Sequence, residues 1–371
     1  MKSHELLEVI GEAQDSYLLD AKIPKKKSTS VWVKWAAMAA CLILVIGLVI
    51  PELFILNPNN EDIGGPGVTN PSIDSNLTNK YPPINWPKIG ASSENVNKIS
   101  MSTDIPLSED TNEITIYKAK QPNIDEICMN LSSILSITEN WTSKDVRRYI
   151  ANEKYIVEVN TQTGYWSFQD RSITNELYGS SEQSSLTNDE VCQKATEVAI
   201  KFGVDQTLFS KLSVGGIEQT TFDPQTDSEV TKVVGHNVYF YPVIDGKDVW
   251  GIARFVVTLD GKGQVAGIMK SYPDLEIHSQ VKAISSKDAS EKILSQEGIM
   301  ISDDPSDADA IVVNDYEVVY YIDIVSFDEE NFFQPVYVFK GFYTNQGNVI
   351  PGYEYIALTP ALDDAYFDSN K

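Results

Sequence analysis

The chain has 371 residues, with 53 acidic and 29 basic side chains and a formal net charge of −24 at pH 7. An acidic surface repels the phosphates of nucleic acid, so the composition argues against a nucleic-acid-binding protein. With 3 cysteines in the whole chain a disulfide-rich scaffold is excluded, and the length allows more than one hydrophobic core.

Residues 1–30 predict a cytoplasmic leader that contains an amphipathic helix. Apolar residues recur at helical spacing from Leu6 to Leu18, while acidic residues face the other way. A helix of this length is marginal alone in water, so we expect it to dock on a cytoplasmic partner or on the membrane surface. Its acidic polar face argues against anionic lipid. A loosely helical tail with no role beyond topology is an equal alternative.

Residues 31–56 form the most apolar stretch of the chain and predict a single transmembrane helix. No charged side chain occurs from Trp35 to Ile50, and a helix of about 20 residues crosses the hydrocarbon core of a bilayer. Lysines precede the stretch at positions 22, 25, 26 and 27. Because basic residues on a short flank favour the cytoplasmic side, the N-terminus is expected inside the cell and the C-terminal domains outside.

A cleaved signal peptide and a lipidated cysteine are the alternatives to this anchor. The apolar run is longer than the roughly 7–15 residues of a signal-peptide core, and the bulky sequence at 50–54 offers no small-residue cleavage site. Cys41 lies near the start of the apolar run, whereas a lipidated cysteine ends one. An uncleaved single-pass anchor is therefore the preferred interpretation.

Residues 57–111 are rich in proline, asparagine and glycine and predict an extracellular stalk. No helical or strand periodicity persists across this segment, which is typical of an extended linker. Tyr81, Ile84 and Trp86 form a small apolar group within it. This group can dock back onto a folded domain.

Residues 112–371 predict an α+β fold of tandem units, each with one helix packed on an antiparallel sheet. The expected units are residues 112–182, which are diverged, 183–278 and 279–371. A capping box of Thr187 and Glu190 opens a helix that ends near Phe202, and Ser285 opens its counterpart in the last unit. The other expected elements are a helix at 124–137, a short helix from Thr142, and strands at 155–160, 165–170, 238–244, 249–259, 265–272, 310–327, 333–344 and 349–359. Asp-Gly pairs at 245–246 and 260–261 mark hairpin turns.

A family resemblance rests on the residues of these hairpins. The sequence Tyr-Pro-Val-Ile-Asp-Gly-Lys-Asp-Val-Trp-Gly at 241–251, after a Thr-capped helix and before Asp-Gly-Lys at 260–262, resembles the PepSY and YycH/YycI-type group of extracytoplasmic domains. Residues 334–341 and 355–358 are similar to its closing strands. The segments 6–12 and 35–42 resemble leaders of single-pass Gram-positive proteins, some of them anti-sigma-like regulators. The resemblance covers the leader and residues 186–362. It implies regulation or inhibition at the cell surface through a protein partner, and it assigns no binding residue.

Residues that could carry chemistry are few. His236 and His278 have no histidine or cysteine three or four positions away, and no zinc motif or nucleophile elbow occurs. His236 is better explained as a turn histidine at the start of a strand. The acidic run 303–309 suggests calcium, but a proline interrupts the alternation and the glycine and closing glutamate of an EF-hand loop are missing, so a solvated loop is preferred. No catalytic, cofactor-binding or metal-binding residue is predicted.

Two questions about side chains stay open from the sequence. Cys128 and Cys192 could form a disulfide or remain buried thiols. Aromatic pairs alternate along three predicted strands, which favours a core or cross-strand packing over a binding face. These pairs are Tyr239 with Tyr241, Tyr337 with Phe339, and Tyr353 with Tyr355.

The sequence therefore predicts a non-catalytic, membrane-anchored extracytoplasmic protein that regulates a partner by protein contact, at a sheet edge or an aromatic face. The binding residues are unknown. The alternative is a surface-anchored inhibitor or binding module for secreted peptidases or peptides, with no signalling role. An enzyme is a third possibility without a visible acid–base or nucleophile constellation to support it.

Overall fold

Strands dominate the part of the chain that the structure describes. This structure, a computed structural model, covers residues 81, 84, 98–223, 228–302, 305–322 and 331–367. The predicted leader at 1–30, the predicted anchor at 31–56 and most of the predicted stalk lie outside these residues. Within them, no helix is both long and apolar enough to cross a lipid bilayer.

The described helices are α1 (Ile124–Leu135), α2 (Arg171–Gly179), α3 (Asn188–Lys201) and α4 (Ser286–Leu294), with a 3₁₀ turn at Asp364–Tyr366. The described strands are β1 (Ile99–Met101), β2 (Glu113–Ala119), β3 (Thr142–Lys144), β4 (Arg147–Ala151), β5 (Tyr155–Asn160), β6 (Trp166–Asp170), β7 (Lys211–Asp223), β8 (Ser228–Tyr241), β9 (Val243–Ile244), β10 (Lys247–Gly251), β11 (Phe255–Asp260), β12 (Val265–Lys270), β13 (Leu275–Lys282), β14 (Ile299–Met300), β15 (Ala310–Ile322), β16 (Phe332–Asn345) and β17 (Asn348–Pro360).

These strands form two large sheets, one of nine strands and one of eight, so the prediction of tandem units with one helix on one antiparallel sheet is wrong. The stretch 249–259, expected to be a single strand, divides between two pairings. β10 pairs in parallel with β15, whereas β11 pairs antiparallel with β8. The break follows Gly251, whose φ is +95°. A Cβ at this position would lie 1.9 Å from the Ile322 carbonyl oxygen, so only glycine lets β10 approach β15 this closely.

The chain divides into two compact units, and the first takes its described residues from Met1–Tyr117, Ile277–Glu317 and Pro335–Lys371. In this unit β1 pairs in parallel with β15, and β16 pairs antiparallel with β17. Residues 99–101, within the expected stalk, thus belong to a sheet. Tyr81 is fully buried and its hydroxyl hydrogen-bonds Ser279 Oγ. The prediction that the apolar group of the stalk docks on a folded domain is confirmed for Tyr81.

The second unit comprises the described residues of Lys118–Glu276 and Val318–Gln334. Its eight-stranded sheet is antiparallel, in the order β3-β4-β5-β6-β12-β11-β8-β7. Aromatic rings form much of the core. Trp166 stacks on Phe202 with 5.5 Å between ring centroids and meets Phe255 edge-on at 6.0 Å. Because Phe202 directly follows α3, this cluster fixes that helix against one face of the sheet.

Some local sequence signals agree with the structure and others do not. The capping box is present at the start of α3, where Thr187 accepts from the backbone of Glu190 and the Glu190 side chain accepts from the backbone of Thr187, and both Asp-Gly turns join antiparallel strands. The helix expected from Thr142 is wrong, since this residue opens β3. Helix α2 was not predicted; it starts directly after β6 and its N-cap is Asp170.

Candidate interaction surface

A long hairpin, β7–β8, ends the eight-stranded sheet. Its strands pair from Lys211↔Tyr241 to Asp223↔Ser228. The next strand, β11, pairs with β8 only from Gly235 to Phe240. Among the described residues, the outer part of the hairpin therefore has no third strand beside it. We call this outer part, residues 218–223 and 228–233, the hairpin arm. A two-stranded ribbon alone is marginally stable in water, so such an arm gains from being covered.

β7 is also a free edge strand. In the described sheet it pairs only with β8 and has 13 residues, whereas β3 at the opposite edge has 3. An edge strand presents a row of unpaired backbone N–H and C=O groups, and proteins usually block such rows with charges, proline or very short strands. From Leu212 to Ile217, β7 contains neither a charged residue nor proline. The edge is therefore open to pairing along much of its length.

Two apolar side chains of β7 are exposed to solvent. Leu212 is 41% exposed and Phe222 is 61% exposed. The ladder with β8 has one irregularity, which leaves Val234 of β8 as an extra residue, so β7 itself alternates regularly. Because Leu212 and Phe222 are an even number of positions apart, their side chains lie on the same face of the strand.

The arm is held from one side by the last turn of α2 and the linker that follows it. Gln219 Nε2 donates to the Tyr178 carbonyl oxygen at 3.1 Å, and Lys232 Nζ donates to the Ser181 carbonyl oxygen at 2.9 Å. Gln219 Oε1 is buried and has no hydrogen-bond partner among the described residues. A buried acceptor without a donor is costly, so the contact between the arm and α2 leaves one oxygen unsatisfied.

Ser184 and His236 bring a hydroxyl and an imidazole together at the base of the arm. His236 Nε2 lies 2.9 Å from Ser184 Oγ, and burial lowers the pKa of His236, which favours the neutral ring. Asp260 Oδ1 accepts hydrogen bonds from the backbone N–H groups of Lys262 and Gln264, so this oxygen stabilises the β11–β12 turn. His236 lies within β8 rather than at a strand start. Its bond to Ser184 ties the linker between α2 and α3 to the sheet.

The aromatic pairs separate into buried and partly exposed sets. Tyr337 and Phe339 are buried, and so is Tyr355, which agrees with the core interpretation. Tyr353 is 44% exposed. Tyr239 and Tyr241 of β8 are half-buried, and their rings stack with 6.2 Å between centroids. This third pair lies next to β7, opposite Ser213 and Lys211 in the ladder.

The remaining candidate groups have local roles. Cys128 and Cys192 are free thiols, and burial raises the pKa of both, which lowers their reactivity. Asp303 and Asp304 lie outside the described residues. Asp309 Oδ2 accepts the backbone N–H at position 346 with 2.7 Å between the atoms, so it supports the β16–β17 turn. Within the described residues, no group of three or more His, Cys, Asp or Glu is arranged to hold a metal ion.

Comparison with known proteins finds similarity among solved structures. No family model matches the chain, and no curated protein matches it significantly. An uncharacterized protein from Eubacterium rectale is similar in structure, with 12% identity, a TM-score of 0.39, and coverage of 72% of this chain and 89% of that one. YycH from Bacillus subtilis is similar with 12% identity, a TM-score of 0.30, and coverage of 66% and 53%. The chain thus spans about half the length of YycH. At these scores neither neighbour assigns a function, and no family model supports the PepSY part of the resemblance.

Proposed function

We propose that this chain is a membrane-anchored, extracytoplasmic regulatory protein that acts without catalysis by binding a protein partner along β7. The observation that carries the proposal is the edge strand of 13 residues, open from Leu212 to Ile217. A partner strand adds to such an edge through main-chain hydrogen bonds, and side chains at alternate positions give selectivity. Leu212 and Phe222 supply apolar contacts near the two ends of the strand.

In this proposal residues 31–56 hold the chain in the cell membrane, and the described units lie outside the cell. The test is extraction of membranes with alkaline carbonate, together with protease digestion of intact cells that carry a C-terminal tag. We expect the full chain to stay in the membrane and the tag to be digested from outside. Leu42→Lys combined with Val45→Lys should release the chain, because two charges in the apolar run are costly to insert. Retention of this double variant, or protection of the tag, contradicts the anchoring.

The β7 contact is tested in native cells with the full chain. A photoreactive phenylalanine analogue replaces Phe222, and in a matched control it replaces Val349, which is exposed to a similar extent at 55%. We expect a defined covalent adduct from position 222 and none of the same mass from position 349. Adducts of equal yield at both positions, or no adduct at position 222, reject binding along β7. An adduct with a secreted peptidase would select the inhibitor form of the proposal.

Proline substitutions provide the second test. Neighbouring residues of an edge strand point their N–H groups alternately inward to the paired strand and outward to solvent. Of Thr220→Pro and Thr221→Pro, one therefore removes a backbone bond to β8 and lowers stability, while the other removes an outward backbone donor. Because Thr220 Oγ1 also hydrogen-bonds Thr231 Oγ1 at 2.8 Å, Thr220→Ala is the control for loss of that bond. We expect the variant that keeps the wild-type melting temperature to lose the adduct at Phe222. Retention of the adduct in that variant contradicts strand addition.

A further inference from the structure

The sequence of β7 is complementary to itself in one antiparallel register. When a strand pairs antiparallel with its own copy about a two-fold axis, residues equally far from the axis on either side become partners. Leu212 and Phe222 stand five positions before and after Ile217. An axis at Ile217 therefore places Leu212 of each copy opposite Phe222 of the other. These are the two exposed apolar side chains of the strand.

We propose that the partner of β7 is the β7 strand of a second copy of this chain, paired antiparallel about a two-fold axis at Ile217. This inference rests on the proposed strand addition and names its partner. Leu212 and Phe222 lie on one face, so both Leu–Phe pairs form on that face with about 4.5–5.5 Å between Cβ atoms. The pairing thus covers four exposed apolar side chains at once.

The residues near the axis also fit this register. Gly216 of each copy stands opposite Glu218 of the other, and Gly215 stands opposite Gln219, so each longer side chain meets a position without a side chain. The two Glu218 carboxylates lie diagonally across the axis rather than directly opposite each other.

Two-fold pairing ends with two copies and does not continue into a filament. Such a contact uses the same surface on both molecules, so both β7 edges are consumed together. At the far edge of the eight-stranded sheet, β3 has only 3 residues and offers little ladder for a further copy. The expected product is a closed dimer with one continuous sheet.

Single cysteines at defined distances from the axis test the register. In a full-length background with Cys41 and Cys192 replaced by alanine, and with the buried Cys128 kept, we introduce Glu218→Cys, Phe222→Cys or Leu212→Cys. Strand geometry places two copies of position 218 about 8 Å apart and two copies of position 222 about 34 Å apart. A short bis-maleimide applied to membranes should link Glu218→Cys into dimers at least tenfold more efficiently than Phe222→Cys. Co-expressed Leu212→Cys and Phe222→Cys should restore the dimer.

The result that overturns self-pairing is equal yield from Glu218→Cys and Phe222→Cys, or no dimer from either Glu218→Cys or the mixed pair. If Glu218→Cys does not fold, as judged by its melting temperature, the yield of dimer from co-expressed Leu212→Cys and Phe222→Cys is the test of self-pairing. The photoreactive analogue at Phe222 separates the two proposals. An adduct of twice the chain mass supports both. An adduct with another protein, without cysteine-linked dimers, rejects self-pairing and keeps strand addition. No adduct and no dimer reject both.

Discussion

Alanine at Gly251 should destabilise the second unit clearly more than alanine at Gly246. Both glycines have positive φ, +95° and +72°, and lie in the β9–β10 region. A Cβ at Gly246 meets no atom within 4 Å, whereas a Cβ at Gly251 would lie 1.9 Å from the Ile322 carbonyl oxygen. The two variants therefore share the backbone penalty and differ in the clash, which makes Gly246→Ala the matched control.

The size of the difference follows from the contacts of β10. The left-handed conformation costs about 1–2 kcal/mol for a residue with a side chain, and this cost applies to both variants. To relieve the clash, β10 must move away from β15, which breaks the hydrogen bond from the Ile252 N–H to the Ile322 carbonyl oxygen. A buried group left without its partner costs about 1–3 kcal/mol, so Gly251→Ala should exceed Gly246→Ala by about that amount.

Calorimetry of the two variants and the wild type measures this difference. For a unit of 150–250 residues, each kcal/mol shifts the melting temperature by about 2–4 °C, so we expect about 2–12 °C between the variants. Equal melting temperatures for Gly251→Ala and Gly246→Ala would refute the reasoning, because the close approach of β10 to β15 would then have no energetic consequence.

Four further predictions test the described contacts. Burial lowers the folded-state pKa of His236, so the stability that its neutral ring contributes is present above the ordinary pKa of about 6.5 and is lost as the pH falls. In urea titrations, His236→Gln should therefore flatten the dependence of the free energy of unfolding on pH between about pH 7.5 and 5.5. An unchanged slope contradicts this. Thr187→Ala should cost about 1 kcal/mol, while Thr187→Ser should cost little; equal losses would deny the cap its role. In the denatured chain without reductant, a thiol reagent should react with 3 thiols. Reaction with only 1 thiol would mean that Cys128 and Cys192 are bonded to each other. Asp309→Ala should lower the free energy of unfolding by about 1 kcal/mol. Millimolar calcium should leave the wild-type melting temperature unchanged, and a rise would indicate a calcium site.

Local signals in the sequence predicted local structure well. The capping box of Thr187 and Glu190 acts within one helical turn, and α3 begins where this motif places it. At 245–246 both residues of the Asp-Gly pair have positive φ, a conformation that few other residue pairs adopt, and this pair marks the β9–β10 hairpin. In the β11–β12 turn the positive φ belongs to Gly263, so the Asp-Gly pair at 260–261 marks the place of the turn but not its conformation. Such features need no information from distant parts of the chain.

The architecture depends on pairings that the sequence does not display. The valine- and aromatic-rich run from Val249 to Leu259 favours one strand, yet Gly251 ends β10 because Ile322, far along the chain, lies against it. Thr142 has the residue type of a helix cap but opens β3, since its neighbours pair with β4. These outcomes are set by tertiary partners, which override local propensity.

The candidate surface was missed for a related reason. Val214, Ile217, Thr220 and Thr221 are residues that favour strands, and this composition was the available signal for β7. The sequence does not say which strand of a sheet lies at its edge. That position follows from the strand order, and it is the position that makes β7 a binding surface.

The net charge of the chain limits where two copies can make contact, and β7 is an edge with few charges. A formal net charge of −24 makes two copies repel each other at long range. Any contact between copies must therefore come from a segment where this repulsion is locally weak and apolar surface is available. Residues 212–217 carry no charge, and Leu212 and Phe222 extend the apolar surface toward the ends of β7. The acidic surface elsewhere disfavours other contacts between copies, so it favours pairing at this one edge.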